Sequence, residues 1–381
     1  MDTPPKRHVL VIGYPDFLPR HLAHVILERE PESTLYLIVA EGRMKEARTA
    51  IKKLSKTARN RVVLYMGDLS ALDMGLSGRE YLDLVGRVTH VYHAGMSFIM
   101  RHPERYLYER NVVGTQNLLN LCVEAPHMER LYFFSSLYVS GLRKGYIRER
   151  EFDRGQKFKS FIEFTWYKAE KIVRHQRHRM GITVLRLGNV IGDSRTGEID
   201  GFDGPYLLLS LLKADNAKVP LVLPGACKAA SHLVPVDFVV DASYHISLRE
   251  DSVGETYHIT DPHSVPVHRA IKMVTTYVGR GQPRFGLPWP LFRTLYTISG
   301  ARSLVRLPLD IFTYFNHQAD YSTANLSYAL QDTDIHCPEF AGYFPITIEY
   351  AVRRLMAERD RRDEQEAHDP LDTPQFVPGE Q

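Results

Sequence analysis

The sequence predicts an α/β protein built on a doubly wound parallel sheet, with a smaller C-terminal substrate-side subdomain. Three observations predict it. Short apolar runs end on glycine or a small residue, the first being "HVLVIG" (8–13). Segments with apolar residues at helical spacing follow them, the first being "FLPRHLAHVILE". The pair then recurs along the chain, and strands alternating with crossover helices form a parallel sheet whose ligand crevice lies beyond the strands' carboxyl ends.

In order, "STLYLIVA", "RVVLYMGDL" and "VTHVYHAG" read as strands, "NVVGTQNLLNLCVEA" as a helix and "RLYFFSS" as a strand. A long helix around 160–179 and the strand "ITVLRLGNVIG" follow. Past residue 195 the alternation loosens: "HLVPVDFVVDASYHIS" is extended and then helical, and "ETYHIT" is a further strand. The expected division is a sheet domain over 1–195, a subdomain over 196–357 with some return to the sheet, and a tail over 358–381. The tail is charged, contains proline and has almost no apolar residues, so disorder is expected there.

The chain has 381 residues, 44% of them hydrophobic, enough to bury a sizeable core. Its 48 basic and 45 acidic side chains are balanced and form no Lys/Arg block, which argues against nucleic acid as a partner. Cys122, Cys227 and Cys337 lie far apart and are odd in number, so neither a disulfide framework nor a metal site is expected. The opening "MDTPPKRHVLVIG" leaves no room for a signal peptide and no apolar run is long enough to span a bilayer, so the cytoplasm is the expected compartment.

Six motifs stand in a fixed order: "GDLSALDMGLS" (67–77), "VYHAG" (91–95), "NVVGTQNLL" (111–119), "FSSLYVSG" (134–141), "RLGNVIGDSRTG" (186–197) and "HLVPVDFVVDA" (232–242). In this order the chain resembles the extended short-chain dehydrogenase/reductase family, in its male-sterility, fatty acyl-CoA and thioester reductase-like branch. The resemblance covers roughly residues 7–330. It implies a Rossmann-type fold over 1–195 and NAD or NADP as cofactor. Gly13, Asp16, Phe17 and Leu18 would lie at the diphosphate, Asp68 and Leu69 at the adenine, and His93, Ala94 and Gly95 along the cofactor. Asn111 would support the active-site helix, and Ser136 would hydrogen-bond a substrate carbonyl. Read from the residues alone, Asp68 and Asn111 serve equally well as a turn residue and a helix cap.

Two stretches depart from the family pattern, and a third leaves the cofactor open. The phosphate loop should carry three glycines, for the tight turn, for approach to the diphosphate and for helix packing. Here it reads "GYPDFLP": Gly13 stands, Asp16 brings a carboxylate to the second position, and Pro19 removes an N–H at the third. Dinucleotide binding is therefore expected to be weak or lost, unless Asp16 caps the helix and points aside. At the end of the second strand, Glu41 could meet ribose hydroxyls and Arg43 or Lys45 a phosphate, so NAD and NADP both stay open.

The other departure is catalytic. The family's Tyr-x-x-x-Lys dyad, in which the cation favours the phenolate, falls without a gap on Ile162 and Trp166, while the flanking Glu163, Thr165, Ala169 and Glu170 fit the pattern. The competing register, Tyr167 with Lys171, rotates the dyad by about 140° around the helix. In the gapless register the dyad is degenerate and Trp166 narrows the site beside Ser136.

The expected function is a catalytically degenerate relative that binds an acyl or carbonyl ligand or pairs with an active subunit. The alternative is a working NAD(P)H-dependent reductase of a thioester or ketone that uses Tyr167 and Lys171. The resemblance also implies a homo- or heterodimer through helices near 100–123 and 160–179, for which Phe161, Phe164, Ile172 and Val173 are suitable, as they are for a core. The segment 287–315, with Arg293, Arg302 and Arg306 among large apolar residues, reads as a peripheral membrane contact, the roof of an acyl pocket or a buried lid helix.

Overall fold

The computed structural model describes residues 7–199, 201, 223–277, 279, 286–298 and 309–367. Seven strands form one sheet: β1 (His8–Ile12), β2 (Thr34–Val39), β3 (Val62–Met66), β4 (His90–His93), β5 (Arg130–Ser136), β6 (Gly181–Leu187) and β7 (Thr256–Ile259). Every neighbouring pair is parallel, and the order is β7-β6-β5-β4-β1-β2-β3. The predicted doubly wound sheet is thus present. The apolar runs are nearly continuous because helices cover both faces, and Leu10, Val11, Leu131, Phe133 and Val184 are all buried.

Helix α1 (Phe17–Arg29) returns β1 to β2, α2 (Met44–Lys52) follows β2, and α3 (Gly78–Val85) leads to β4. A capping box of Ser77 and Glu80 starts α3. After β4 comes one helical rod in three parts: α4 (Glu104–Tyr108), a π-turn over Glu109–Val113, and α5 (Gly114–Glu124). Helix α6 (Phe161–His175) precedes β6, and α7 (Val236–Ser247) packs against α1.

Beyond residue 195 the chain supplies β7 to the main sheet, together with α8 (Val267–Tyr277), α9 (Trp289–Ile298), α10 (Ala324–Leu330) and α11 (Phe340–Ala367). Helix α11 continues to Ala367, past Glu358, where composition predicts the start of disorder. Its Glu, Arg, Gln and Ala residues are good helix formers, and helix propensity wins over the absence of apolar residues there. The rest of the predicted tail, 368–381, lies outside the described residues.

Within the 287–315 segment, Phe292 and Tyr296 of α9 pack on Phe312 and Phe315, as a lid helix does, while Leu291 and Leu295 are exposed. Residues 299–308, with Arg302 and Arg306, lie outside the described residues. Among the described residues no helix is long and apolar enough to cross a membrane. Val173 is wholly buried in the core and is not available to a partner, while Phe161 and Ile172 are partly buried against the same core.

Candidate functional site

The strand order reverses between β1 and β4, and there a cavity of about 1050 Å³ opens beyond the strand ends. Gly13 after β1, Gly95 after β4, Ser136 at the end of β5 and Leu187 of β6 all line it. One end is bounded by Ile38 and Ala40 of β2's terminus with Gly67 and Leu69 after β3. The other is bounded by Val274 of α8 and by Phe344 and Ile348 of α11.

The loop after β1 departs from a phosphate loop in a defined way. Gly13 has φ +107°, and a Cβ there would lie 2.7 Å from the Ala94 carbonyl oxygen and 2.9 Å from Pro19 Cγ, so the turn requires glycine. Phe17 and Leu18 open α1 and line the cavity. Asp16 is the N-cap residue, yet its side chain makes no capping hydrogen bond. Its carboxylate pairs instead with Arg43, which also binds Glu46 at 2.8 and 3.0 Å. Asp16 lines the cavity, its carboxylate does not cap α1 as the alternative expects, and Arg43 opposes its charge. Arg43, a candidate for a phosphate, is held between two carboxylates.

The remaining cofactor candidates divide between the cavity wall and its surroundings. Leu69, Ala94 and Gly95 line the cavity. Asp68 is exposed and outside the lining, and its carboxylate accepts from Ser70 N and Oγ at 2.9 and 2.8 Å, which makes it a turn residue. His93 ends β4 with its ring turned into the core, bonded to Thr115 Oγ1 at 2.8 Å. Burial, aided by the charge of Arg110, pushes this imidazole down to about 3, so it is neutral. The "HAG" motif thus contributes its small residues to the site, and its histidine to packing.

Asn111 lies in the π-turn, fully buried, and bonds to α6 and to the loop after β4. Its Oδ1 accepts from Ser97 N at 2.7 Å, and its Nδ2 donates to Thr165 Oγ1 of α6 at 2.9 Å. Trp166, the next residue on α6, donates its indole N–H to Ser97 O at 2.9 Å, and its ring lies 5.0 Å from that of Phe98. Trp166 lines the cavity together with Ser136. Ile162 is buried in the core and is not part of the cavity wall, so only one of the two degenerate positions faces the site.

Tyr167 and Lys171 lie away from the cavity. Lys171 Nζ sits 3.3 Å from the Tyr167 hydroxyl but bonds Asp153 at 2.8 Å, and Tyr167 packs on Phe152 and Phe158. Burial and the Asp153 carboxylate together raise the Tyr167 pKa against the lowering effect of Lys171. That is the reverse of what a catalytic phenol needs.

Ser136 is buried, and its Oγ accepts from Tyr138 N at 3.2 Å. Sequence reasoning passed over Tyr138 and Asn189, although both stand inside quoted motifs. Both line the cavity, and Asn189 Nδ2 donates to the Tyr138 hydroxyl at 2.8 Å. Behind them lies a buried amine: Lys159 Nζ is 2.7 Å from His317 Nδ1 and lies over the rings of Tyr314 and Tyr138. Burial lowers the Lys159 pKa, although the Glu163 carboxylate beside it raises it.

These residues fit one end of a dinucleotide. Gly13 and Gly95 bring backbone close together, and Ile38, Ala40, Gly67 and Leu69 form an apolar niche for an adenine. They do not fit the reacting end. An indole tied to Ser97 stands at one of the two positions where a phenol and an ammonium act in the family, and Ile162 stands at the other.

The sequence matches the model of the family described as male sterility protein over residues 11–243. Among curated proteins, the chain is 24% identical over 277 residues to the non-canonical nonribosomal peptide synthetase cpsA of Aspergillus campestris, covering 68% of this chain and 26% of that one. It is 24% identical over 276 residues to the L-2-aminoadipate reductase of Saccharomyces cerevisiae, covering 65% of this chain and 19% of that one. It is 20% identical over 307 residues to the putative fatty acyl-CoA reductase CG8303 of Drosophila melanogaster, covering 69% and 56%. The chain therefore spans a fraction of the length of these relatives.

Among solved structures, the terminal R domain from the myxalamid PKS-NRPS biosynthetic pathway shares the fold with a TM-score of 0.78 at 24% identity, over 93% of this chain and 92% of that one. UDP-glucuronic acid 4-epimerase from Bacillus cereus, in complex with NAD, matches with a TM-score of 0.63 at 15% identity, over 91% and 99%.

Proposed function

Because the chain belongs to the male sterility protein family, an NAD-binding family of reductase domains, we propose that it is a member that binds an acyl or carbonyl ligand without carrying out the family's hydride chemistry. One observation carries this reading: Trp166, fixed by its bond to Ser97, forms the cavity wall beside Ser136, with no phenol–ammonium pair at the dyad positions. An indole does not titrate near neutral pH and cannot pass a proton to a reduced carbonyl. When NAD is bound in a family member it supplies or accepts hydride; in this chain Gly13, Ala94, Gly95 and Leu69 would hold it. The apolar walls from α8 and α11 favour a hydrocarbon chain, and pairing with a second subunit through α4–α5 and α6 is part of the same reading.

The test is to incubate purified protein with NADH or NADPH and a set of acyl thioesters and long-chain ketones. Ligand binding is expected by calorimetry, with no loss of nicotinamide absorbance. Steady oxidation of either cofactor by an acyl thioester would overturn the proposal and restore an active reductase.

A further inference from the structure

Among the described lining residues, the charged side chains all belong to the first part of the chain. Asp16, Arg43, Arg101, His102 and Arg110 all come from the chain before β5. From Ser136 onward every described lining residue is uncharged: glycines, aliphatic and aromatic side chains, and a few neutral polar groups. Lys159, the buried amine behind Tyr138, is already 3.5 Å from the Glu163 carboxylate, so a buried ligand carboxylate would have no cation of its own, and an unpaired buried charge is costly. A neutral polar group is acceptable, provided it is hydrogen-bonded.

Two hydroxyls there have their oxygens engaged and their hydrogens uncommitted. Asn189 Nδ2 donates both to the Tyr138 hydroxyl at 2.8 Å and to the Ser231 carbonyl at 2.7 Å. The Ser231 carbonyl can only accept, which fixes the nitrogen end of the Asn189 amide. Tyr138 therefore accepts from Asn189, and its own O–H finds no acceptor among the described residues. Ser136 Oγ likewise accepts, from Tyr138 N at 3.2 Å, and keeps its proton. The Tyr138 ring is held edge-on by Tyr314 at 4.9 Å and flanked by His317 at 5.4 Å, so the phenol is aimed rather than free. Burial raises the Tyr138 pKa well above the ordinary phenol value, which keeps the proton in place.

We infer that Tyr138, positioned by Asn189, donates a hydrogen bond to the carbonyl oxygen of a neutral acyl ligand, with Ser136 as the second donor and the chain running toward Val274 and Ile348. This rests on the ligand-binding reading above and deepens it: the ligand is an ester, thioester, aldehyde or ketone, and a free fatty carboxylate is rejected. Tyr138 lies on the loop after β5, two residues beyond Ser136, so the carbonyl is held from β5 and not from α6.

The probe is a long-chain methyl ketone with a heavy-carbon label at its carbonyl, compared with the alkane and the fatty carboxylate of equal length. On the unmodified protein the ketone should bind most tightly, with its infrared carbonyl stretch moved to lower frequency. Tyr138→Phe, which keeps the ring, should weaken ketone binding about tenfold, the scale of one hydrogen bond, return the stretch toward its apolar-solvent value and leave alkane binding unchanged. Asn189→Leu should reproduce part of both effects, because the phenol loses its orienting donor. Ketone binding that is identical in affinity and stretch in Tyr138→Phe would overturn the inference while leaving the acyl-cavity reading intact. Failure of the unmodified protein to bind either ketone or alkane would overturn both.

Discussion

Trp166 Nε1 donates to the Ser97 carbonyl at 2.9 Å, and Asn111 holds the same residue by its N–H at 2.7 Å. Helix α6, the π-turn and the loop after β4 therefore meet on one residue, Ser97. Trp166→Ala should enlarge the cavity beside Ser136 and change acyl-ligand affinity by tenfold or more. It should also lower stability by about 3–5 kcal/mol, the usual cost of removing a buried aromatic. Trp166→Phe should recover most of the stability. Calorimetry and denaturant titration check this, and unchanged ligand affinity in Trp166→Ala would remove Trp166 from the site.

Tyr167→Phe and Lys171→Met should leave ligand binding within about twofold of the unmodified protein, because neither side chain reaches the cavity. The solvent-exposed Lys171–Asp153 pair contributes little, so stability should hardly move. A drop of about 100-fold or more in any measured reductase activity of Tyr167→Phe, the scale of losing a general acid, would restore the active-enzyme alternative.

Dinucleotide affinity should be modest in the unmodified protein and should rise in the double variant Asp16→Gly with Pro19→Gly. The first change frees Arg43 from one of its two carboxylates, and the second restores a backbone donor to the first turn of α1. Arg43 released in this way should favour NADPH over NADH, which calorimetry with both cofactors will read. Tight binding by the unmodified chain, with no gain in the variant, would show that the loop needs neither change.

Acid should destabilise the fold through Glu170. Burial alone would raise its pKa, but Arg186 at 2.7 Å, Arg174 and the Ser135 hydroxyl outweigh burial and hold it down to about 2. A carboxyl whose folded pKa is depressed contributes stability above its ordinary value near 4.5, and loses it as pH falls from there to about 2. Glu170→Gln should flatten that slope. It should also cost roughly 3–5 kcal/mol at neutral pH, because Arg186 is left buried without its partner. Denaturant midpoints across this pH range test both effects.

Much of the fold was legible because apolar runs and helical spacing are local signals, and the strand ends that carry Gly13 and Ser136 could be placed from them. The side-chain partnerships were less legible. The Asp16–Arg43 pair joins two loops across β2, and nothing in "GYPDFLP" announces the partner. His93 ends its strand on the core side, a face that the motif does not specify. Tyr138 stood inside a recognised motif but carried no signal of its own, because its role depends on Asn189, which lies two residues past the end of β6, the strand beside β5. Both dyad positions fall on α6, yet only Trp166 faces the cavity while Ile162 is buried in the core.

The π-turn at Glu109–Val113 sets the phase between two stretches of one rod. A wide turn accommodates one residue more than a regular helix of the same rise, and deleting a single residue there would let the ladder close into uninterrupted α-helix. The flanking stretches would keep their mutual phase, because the wide turn is what absorbs the extra residue, and the change would fall on Asn111 and its neighbours inside the turn. Asn111 would swing off Thr165, Ser97 would lose its N–H partner, and the carbonyl that anchors Trp166 would no longer be held. The shape of the cavity wall is thus tied to the local winding of the rod that carries Asn111, and removing one residue from that turn would reshape the site as surely as replacing the tryptophan.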